Sequence, residues 1–202
     1  MPLKQIATAP EPPTPDVVQQ FLTTWDGLDN YALQERSLAL LFQTFCPRNT
    51  TLEHVLLKVS ALNDFYSTNI FNTYAVARHI VGLNIDPLLA KADKVLVNAL
   101  AQVPIGGKIR NFYSFATKYC NHHRSDDYPI YDQYVEKMLL YFGKADRFTE
   151  FTKPELKQYD RFLEIILAFR SHYGLTAFSL RQIDIYLWLG GKRAFPPKYA
   201  GA

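Results

Sequence analysis

Hydrophobic residues recur along this chain at three- and four-residue spacing, in run after run. In TPDVVQQFLTTW, Val18, Phe21, Leu22 and Trp25 share one helical face. Thr14 is placed to cap that helix, and Pro15 suits the first helical position, where its missing N–H costs nothing. A second run from about Asn30 to Phe45 carries Leu33, Leu40 and Leu41 and stops before Pro47. Thr50 and Glu53 have the spacing of a capping box ahead of Val55, Leu56, Val59 and Leu62. Further runs predict helices from Thr68 to about Val81, from Asp86 through Leu100, from Arg110 to about Asn121 and from Asp132 to Phe142. A long one is predicted from about Pro154 to Tyr173, ending at Gly174, and a last one from the Ser179/Gln182 capping pair to Gly190. No segment alternates with period two over strand length, so the pattern predicts an all-α chain without internal repeats.

Composition narrows this picture. A chain of 202 residues can bury one core or two small lobes sharing a cleft, and nothing about the length demands more than a monomer. With 48% hydrophobic and 20% charged residues it belongs with globular proteins. The formal charge of +3 permits an anionic partner such as DNA without arguing for one. Cys46 and Cys120 lie far apart with no CxxC pattern, which predicts reduced thiols in a cytoplasmic protein and no metal cluster or other cofactor. The start, MPLKQIATAPEPPTPD, lacks a signal-peptide core, and no apolar stretch of about 18 residues occurs, so no membrane association is expected. Residues 1–15 and 193–202, rich in Pro, Gly and Lys, are expected to be flexible.

Four stretches carry candidate chemistry. VPIGGK, Val103 to Lys108, is a glycine turn, and a helix start behind such a turn can offer N–H groups to a phosphate; an ordinary connector fits it too. KVSALNDFYSTN places Leu62, Asn63, Phe65 and Tyr66 at a helix end, where they would meet a base or simply join the core. His122, His123, Asp126 and Asp127 fall in what reads as a solvated polar loop and do not make a convergent ligand set. In YPIYDQYV, Asp132 stands at the start of a helix, where a cap is the local explanation for an aspartate.

The order of these elements resembles the helix-hairpin-helix DNA glycosylase superfamily that includes endonuclease III. Ser60 and Ala61 match its helix ending in small residues, Pro104, Gly106 and Gly107 its hairpin of the type Leu-Pro-Gly-Val-Gly-x-Lys, and Asp132 with Val135 its Asp followed by an apolar helix. The likeness spans roughly Leu52 to Leu140, and the Tyr113–Val135 part is also similar to small bacterial glycosylase-like proteins, some linked to defence against phages with modified DNA. Two departures stand out: the hairpin reads Pro-Ile-Gly-Gly, and the four-cysteine iron–sulfur loop is missing.

The resemblance implies two helical lobes with a central cleft. Residues 31–130 would form the lobe holding the hairpin, and residues 16–30 with 131–192 the other. It implies a monomeric enzyme that frees a flipped-out damaged or modified base from DNA by cleaving its N-glycosidic bond, in repair or antiviral defence. Asp132 would be the catalytic carboxylate. The family's lysine falls on Ile109 or on Lys108, depending on whether the match is anchored at Pro104 or at Arg110, and Lys108 would permit strand cleavage through a Schiff base. Gly106, Gly107, Arg110, Lys118, Leu62 and Asn63 would contact DNA, and Phe65, Tyr66 and Tyr131 would line the base pocket. The competing classes are a DNA-binding module without catalysis and a helical protein-interaction domain.

Overall fold

Helices α1 (Pro15–Asp26) and α2 (Asp29–Ala39) open the structure, a computed structural model that describes residues 9–196. Thr14 caps α1 as its sequence dictates, its Oγ1 accepting the Val17 N–H at 3.3 Å. A π-helical turn, Leu40–Phe45, continues α2. Its Gln43 side chain donates to the carbonyls of His122 and His123 at 2.5 and 3.1 Å, satisfying groups that a helix end leaves open.

Helix α3 (Leu52–Phe65) starts behind Thr51, whose side chain makes no cap bond, so the predicted Thr50/Glu53 box is not formed. Helix α4 (Thr73–Leu83) begins five residues later than expected, with Asn72 capping it. The intervening loop winds around Asn63 instead: Ser67 and Asn69 take left-handed φ values of 48° and 57°, and Asn63 Oδ1 accepts the Thr68 hydroxyl at 2.8 Å and the Ile70 N–H at 2.9 Å. The helix predicted from Asp86 is split into α5 (Asp86–Ala90) and α6 (Val95–Ala101), with left-handed Ala92 between them.

The glycine turn does not join two helices. Gln102–Ile105 (β1) and Lys108–Asn111 (β2) form an antiparallel hairpin in which Pro104 faces Ile109 and Ile105 faces Lys108. Gly106 and Gly107, at φ 57° and 76°, supply the two positive-φ positions of a two-residue turn whose twist matches the strands. Four-residue strands are too short to show a period in the sequence, which is why the segment reads there as a turn between two helices. No atom stands within 4 Å of a Cβ built at Gly107, so the cost of a side chain there is conformational. Gly107→Ala is expected to destabilise the protein by about 1–2 kcal/mol; an unchanged urea midpoint would show that the turn contributes nothing.

Helix α7 (Tyr113–His123) follows the hairpin and extends two residues beyond the predicted end. His122 and His123 therefore belong to its last turn, not to a solvated loop, because the apolar stripe of Phe115 and Tyr119 continues into them. The His122 ring packs at 5.4 Å from Phe42, and the His123 ring at 5.0 Å from it. The remaining elements are α8 (Gln133–Asp146), a 3-10 turn (Lys153–Lys157) opened by a Thr152/Glu155 capping box, α9 (Tyr159–His172) and α10 (Leu180–Ala194), opened by the predicted Ser179/Gln182 box.

Helices from both ends of the chain, α1, α8 and α10, pack together, while α3 packs on α4, α6 on α7, and β1 against α4. A continuous hydrophobic core, including fully buried Phe42, Leu62, Phe162, Phe169 and Tyr186, joins the two groups. The described part of the leading segment is docked, contrary to its predicted flexibility: Pro10 and Pro13 are buried, and Tyr186 donates to the Glu11 carbonyl at 2.7 Å. Arg193 holds the Glu11 carboxylate at 2.5 Å, and α10 itself outruns its predicted stop at Gly190, ending at Ala194. Gly191 lets α10 approach α8 closely, since a Cβ there would lie 2.8 Å from Tyr134 Cβ. The other residues of both predicted flexible ends, 1–8 and 197–202, lie outside the described ones. Among the described residues both cysteines are free and buried, and no helix is long and apolar enough to cross a membrane.

Candidate functional site

A cleft of about 730 Å³ opens between these groups of helices. Its floor is set by the segment that enters α8. Ser114 Oγ donates to the Tyr131 carbonyl at 3.0 Å, and Thr117 Oγ1 accepts the Tyr131 N–H at 3.1 Å, so two hydroxyls on one face of α7 grip both backbone groups of one residue. From the other side Asp184 Oδ2, on α10, accepts the Ile130 N–H at 2.9 Å. The next residue, Asp132, is thereby fixed against α7. Its Oδ1 accepts both the Tyr134 and Val135 N–H groups, at 2.8 and 2.9 Å, which is the capping role its position foretold. Asp132 is only partly buried and lines the cleft.

Lys118 comes to the same wall from α7. Its Nζ donates to Ser114 Oγ at 2.5 Å and lies 5.3 Å from the centre of the Tyr66 ring. Burial holds its ammonium below the usual lysine pKa, against the opposing pull of the Asp132 and Asp184 carboxylates. The Tyr66 hydroxyl is 3.1 Å from His122 Nε2, and burial pushes Tyr66 up to about 12 while it holds His122 down to about 3. Asp184 is pushed up to about 8, first by burial, with Arg181 and the Ile130 N–H acting the other way. Its Oδ1 is buried without a hydrogen-bond partner. An amine biased toward its neutral form, a carboxylate and a protonatable acid thus share one enclosure with aromatic walls.

The residues expected at this site divide sharply. Asp132, Phe65, Tyr66, Tyr131 and Lys118 all line the cleft. Tyr131 is nevertheless mostly wall: it is buried, its ring meets Tyr113 and Phe162, and its hydroxyl donates to Glu136. Lys118 is buried within the cleft rather than being a surface contact for phosphates. Lys108, Gly106, Gly107 and Arg110 are exposed on the β-hairpin and do not line the cleft; only the hairpin's base, Asn111 with Phe112, reaches it. Their amides precede a strand and not a helix, so the expected phosphate clamp is not built, and the lysine beside Asp132 is neither Lys108 nor a residue at position 109 but Lys118. Leu62 is fully buried and cannot reach a base, and Asn63 is spent on holding the loop at Thr68 and Ile70.

Sequence reasoning missed Lys118 as a partner of Asp132, although a signal existed: it stands three residues after Phe115, beside an apolar stripe where a lysine has little reason to be. It also missed the α10 residues Arg181, Asp184, Trp188 and Lys192, and Trp25 and Tyr31 opposite them, all lining the cleft.

A family model, HI_0787_N, described as an N-terminal domain, matches residues 17–127. A protein of Haemophilus influenzae described as an uncharacterized protein is 47% identical over 149 residues, covering 73% of this chain and 71% of that protein. No solved structure matches the chain.

Proposed function

This chain belongs to the HI_0787_N family, and from its cleft we propose that it is a DNA glycosylase, cleaving the N-glycosidic bond of a damaged or modified base flipped out of DNA. The observation that carries this proposal is the convergence of a buried lysine amine and a capped carboxylate, Lys118 and Asp132, on one aromatic-walled cleft.

Flipping a base costs a few kcal/mol, which contacts to DNA must offset. The hairpin's exposed Lys108 and Arg110, with no acidic residue between Gln102 and Asn111, meet the phosphates in this scheme. As the base departs, positive charge grows on the sugar, and the Asp132 carboxylate acts where that charge develops. Lys118 in its neutral form attacks the anomeric carbon. A carbon–nitrogen bond forms as the glycosidic bond breaks, the base leaves with the bonding electrons and takes up a proton, and the lysine nitrogen gives one up. The sugar ring then opens as its C1′–O4′ bond breaks and O4′ takes up a proton, and hydrolysis of the resulting iminium frees the lysine. Tyr66 and Phe65 offer faces for stacking.

Mass spectrometry of bases freed from a panel of damaged, alkylated and phage-modified DNAs tests the activity. A free base from at least one of them, absent with Lys118→Met, is the expected result. No base from any DNA would leave a helical binding module in place of an enzyme.

A further inference from the structure

Helix α10 faces the cleft with a stripe that runs well past the reacting groups. Asp184, Trp188 and Lys192 follow at four-residue intervals, so Lys192 stands roughly 12 Å along the axis from Asp184. Across from them, Trp25 of α1 and Tyr31 of α2 stack with centroids 5.8 Å apart at 21°. Trp188 meets both edge-on, at 5.8 and 5.1 Å. Lys192 Nζ lies 4.8 Å from the Tyr31 ring and 4.7 Å from the Trp188 ring, and donates to the Tyr31 hydroxyl at 2.5 Å. A lysine ammonium has three donors, so others are left to meet a ligand. The wall is held rigid from behind: Arg181 lies over Trp25 at 5.4 Å and is bonded by two nitrogens to Glu35 of α2, at 2.8 and 2.6 Å. All three rings are partly exposed.

We propose that the Trp25–Tyr31–Trp188 wall with Lys192 is a subsite for a second nucleotide of the strand whose glycosidic bond faces Lys118 and Asp132. This rests on the glycosylase reading of the same cleft. The chemistry is that of a stacking platform with a fixed cation: every base has a π-face for the rings, and a phosphate of that second nucleotide meets Lys192. The dimensions agree. A separation of roughly 12 Å, several times the ~3.4 Å rise per nucleotide of a duplex strand, leaves room for a second nucleotide beyond the reacting one. A cleft of about 730 Å³ lies in the upper part of the ~300–1,000 Å³ range of ligand pockets and holds more than one base.

Trp25 and Trp188 are the chain's two tryptophans, so its tryptophan fluorescence reports this wall and nothing else. Deoxyadenosine 5′-monophosphate is expected to quench that fluorescence in the wild type and in Lys118→Met alike, at about tenfold lower concentration than deoxyadenosine does. Lys192→Ala is expected to remove the advantage of the nucleotide while the nucleoside still quenches, and Lys192→Arg to keep it. Absence of quenching, or equal quenching by both ligands in the wild type, overturns the subsite. Because quenching needs no turnover, the two readings fail separately. Quenching without base release removes the glycosylase and leaves a nucleotide-binding wall, whereas base release without quenching removes the wall alone.

Discussion

Asp132→Asn is expected to lower the rate of base release by about 10²–10³-fold, the scale seen when a group that stabilises transition-state charge is removed. The substitution separates the two jobs of this side chain. Asparagine caps a helix about as well as aspartate, so its amide oxygen can keep the bonds from Tyr134 and Val135 and the thermal midpoint should stay close to the wild type. What disappears is the negative charge facing the cleft. Asp132→Ala loses the cap as well and should cost about 1 kcal/mol of stability in addition. Single-turnover release from the best DNA of the panel reads the first effect, and thermal unfolding reads the second. A release rate unchanged in Asp132→Asn would reduce this residue to a cap.

The stability of the protein is expected to fall as the pH is lowered from about 6.5 toward 5. Burial holds both His122 and His123 down to about 3, compared with 6.5 for an ordinary imidazole. The charges facing them, Arg181 and Lys118 for His122 and Lys58 for His123, act in the same direction, and Lys58 Nζ lies 3.4 Å from His123 Nε2. Below pH 6.5 the unfolded chain therefore binds two protons that the native state refuses, so the stability these histidines supply is present above 6.5 and lost on acidification. Asp184 has the opposite sign. Its pKa is raised from 3.8 to about 8, so in this window the native state holds a proton that the unfolded chain lacks. Near pH 5 the balance is about one proton, a slope of about 1.4 kcal/mol per pH unit. Asp184→Asn removes the opposing group and should steepen the slope toward two protons, about 2.7 kcal/mol per unit. Lys58, held down to about 8 chiefly by burial, changes charge only at higher pH. Urea melts at several pH values test this; a flat profile between pH 6.5 and 5 would mean that the imidazoles are not kept neutral.

Local chemistry was the legible part of this chain. Thr14 with Pro15, and Ser179 with Gln182, each specify a helix start through bonds spanning three residues, and both starts stand where the sequence placed them. Asp132 was legible for the same reason. The β-hairpin was not, because Gly106 and Gly107 serve a helix connector as readily as a tight turn until the pairing of Pro104 with Ile109 is seen. Only the later part of the loop after α3, residues 68–72, reads as helix in the sequence and is not one, because Asn63 captures groups five and seven residues away, a competition that periodicity does not register. Lys118 and the α10 stripe depend on packing between distant segments. A lysine on the flank of an apolar face becomes a cleft residue only when Tyr131 folds back onto Ser114 and Thr117, and Trp188 becomes a wall only when α1 and α2 close over it.

Borohydride trapping on DNA, followed by peptide mapping of the adduct, is the most direct measurement of whether Lys118 and Asp132 act on one reacting carbon. The expected result is a covalent DNA adduct on the peptide containing Lys118, lost in Lys118→Met and retained in Lys108→Gln. An adduct mapped to Lys108, or base release that proceeds undiminished in Lys118→Met, would contradict it.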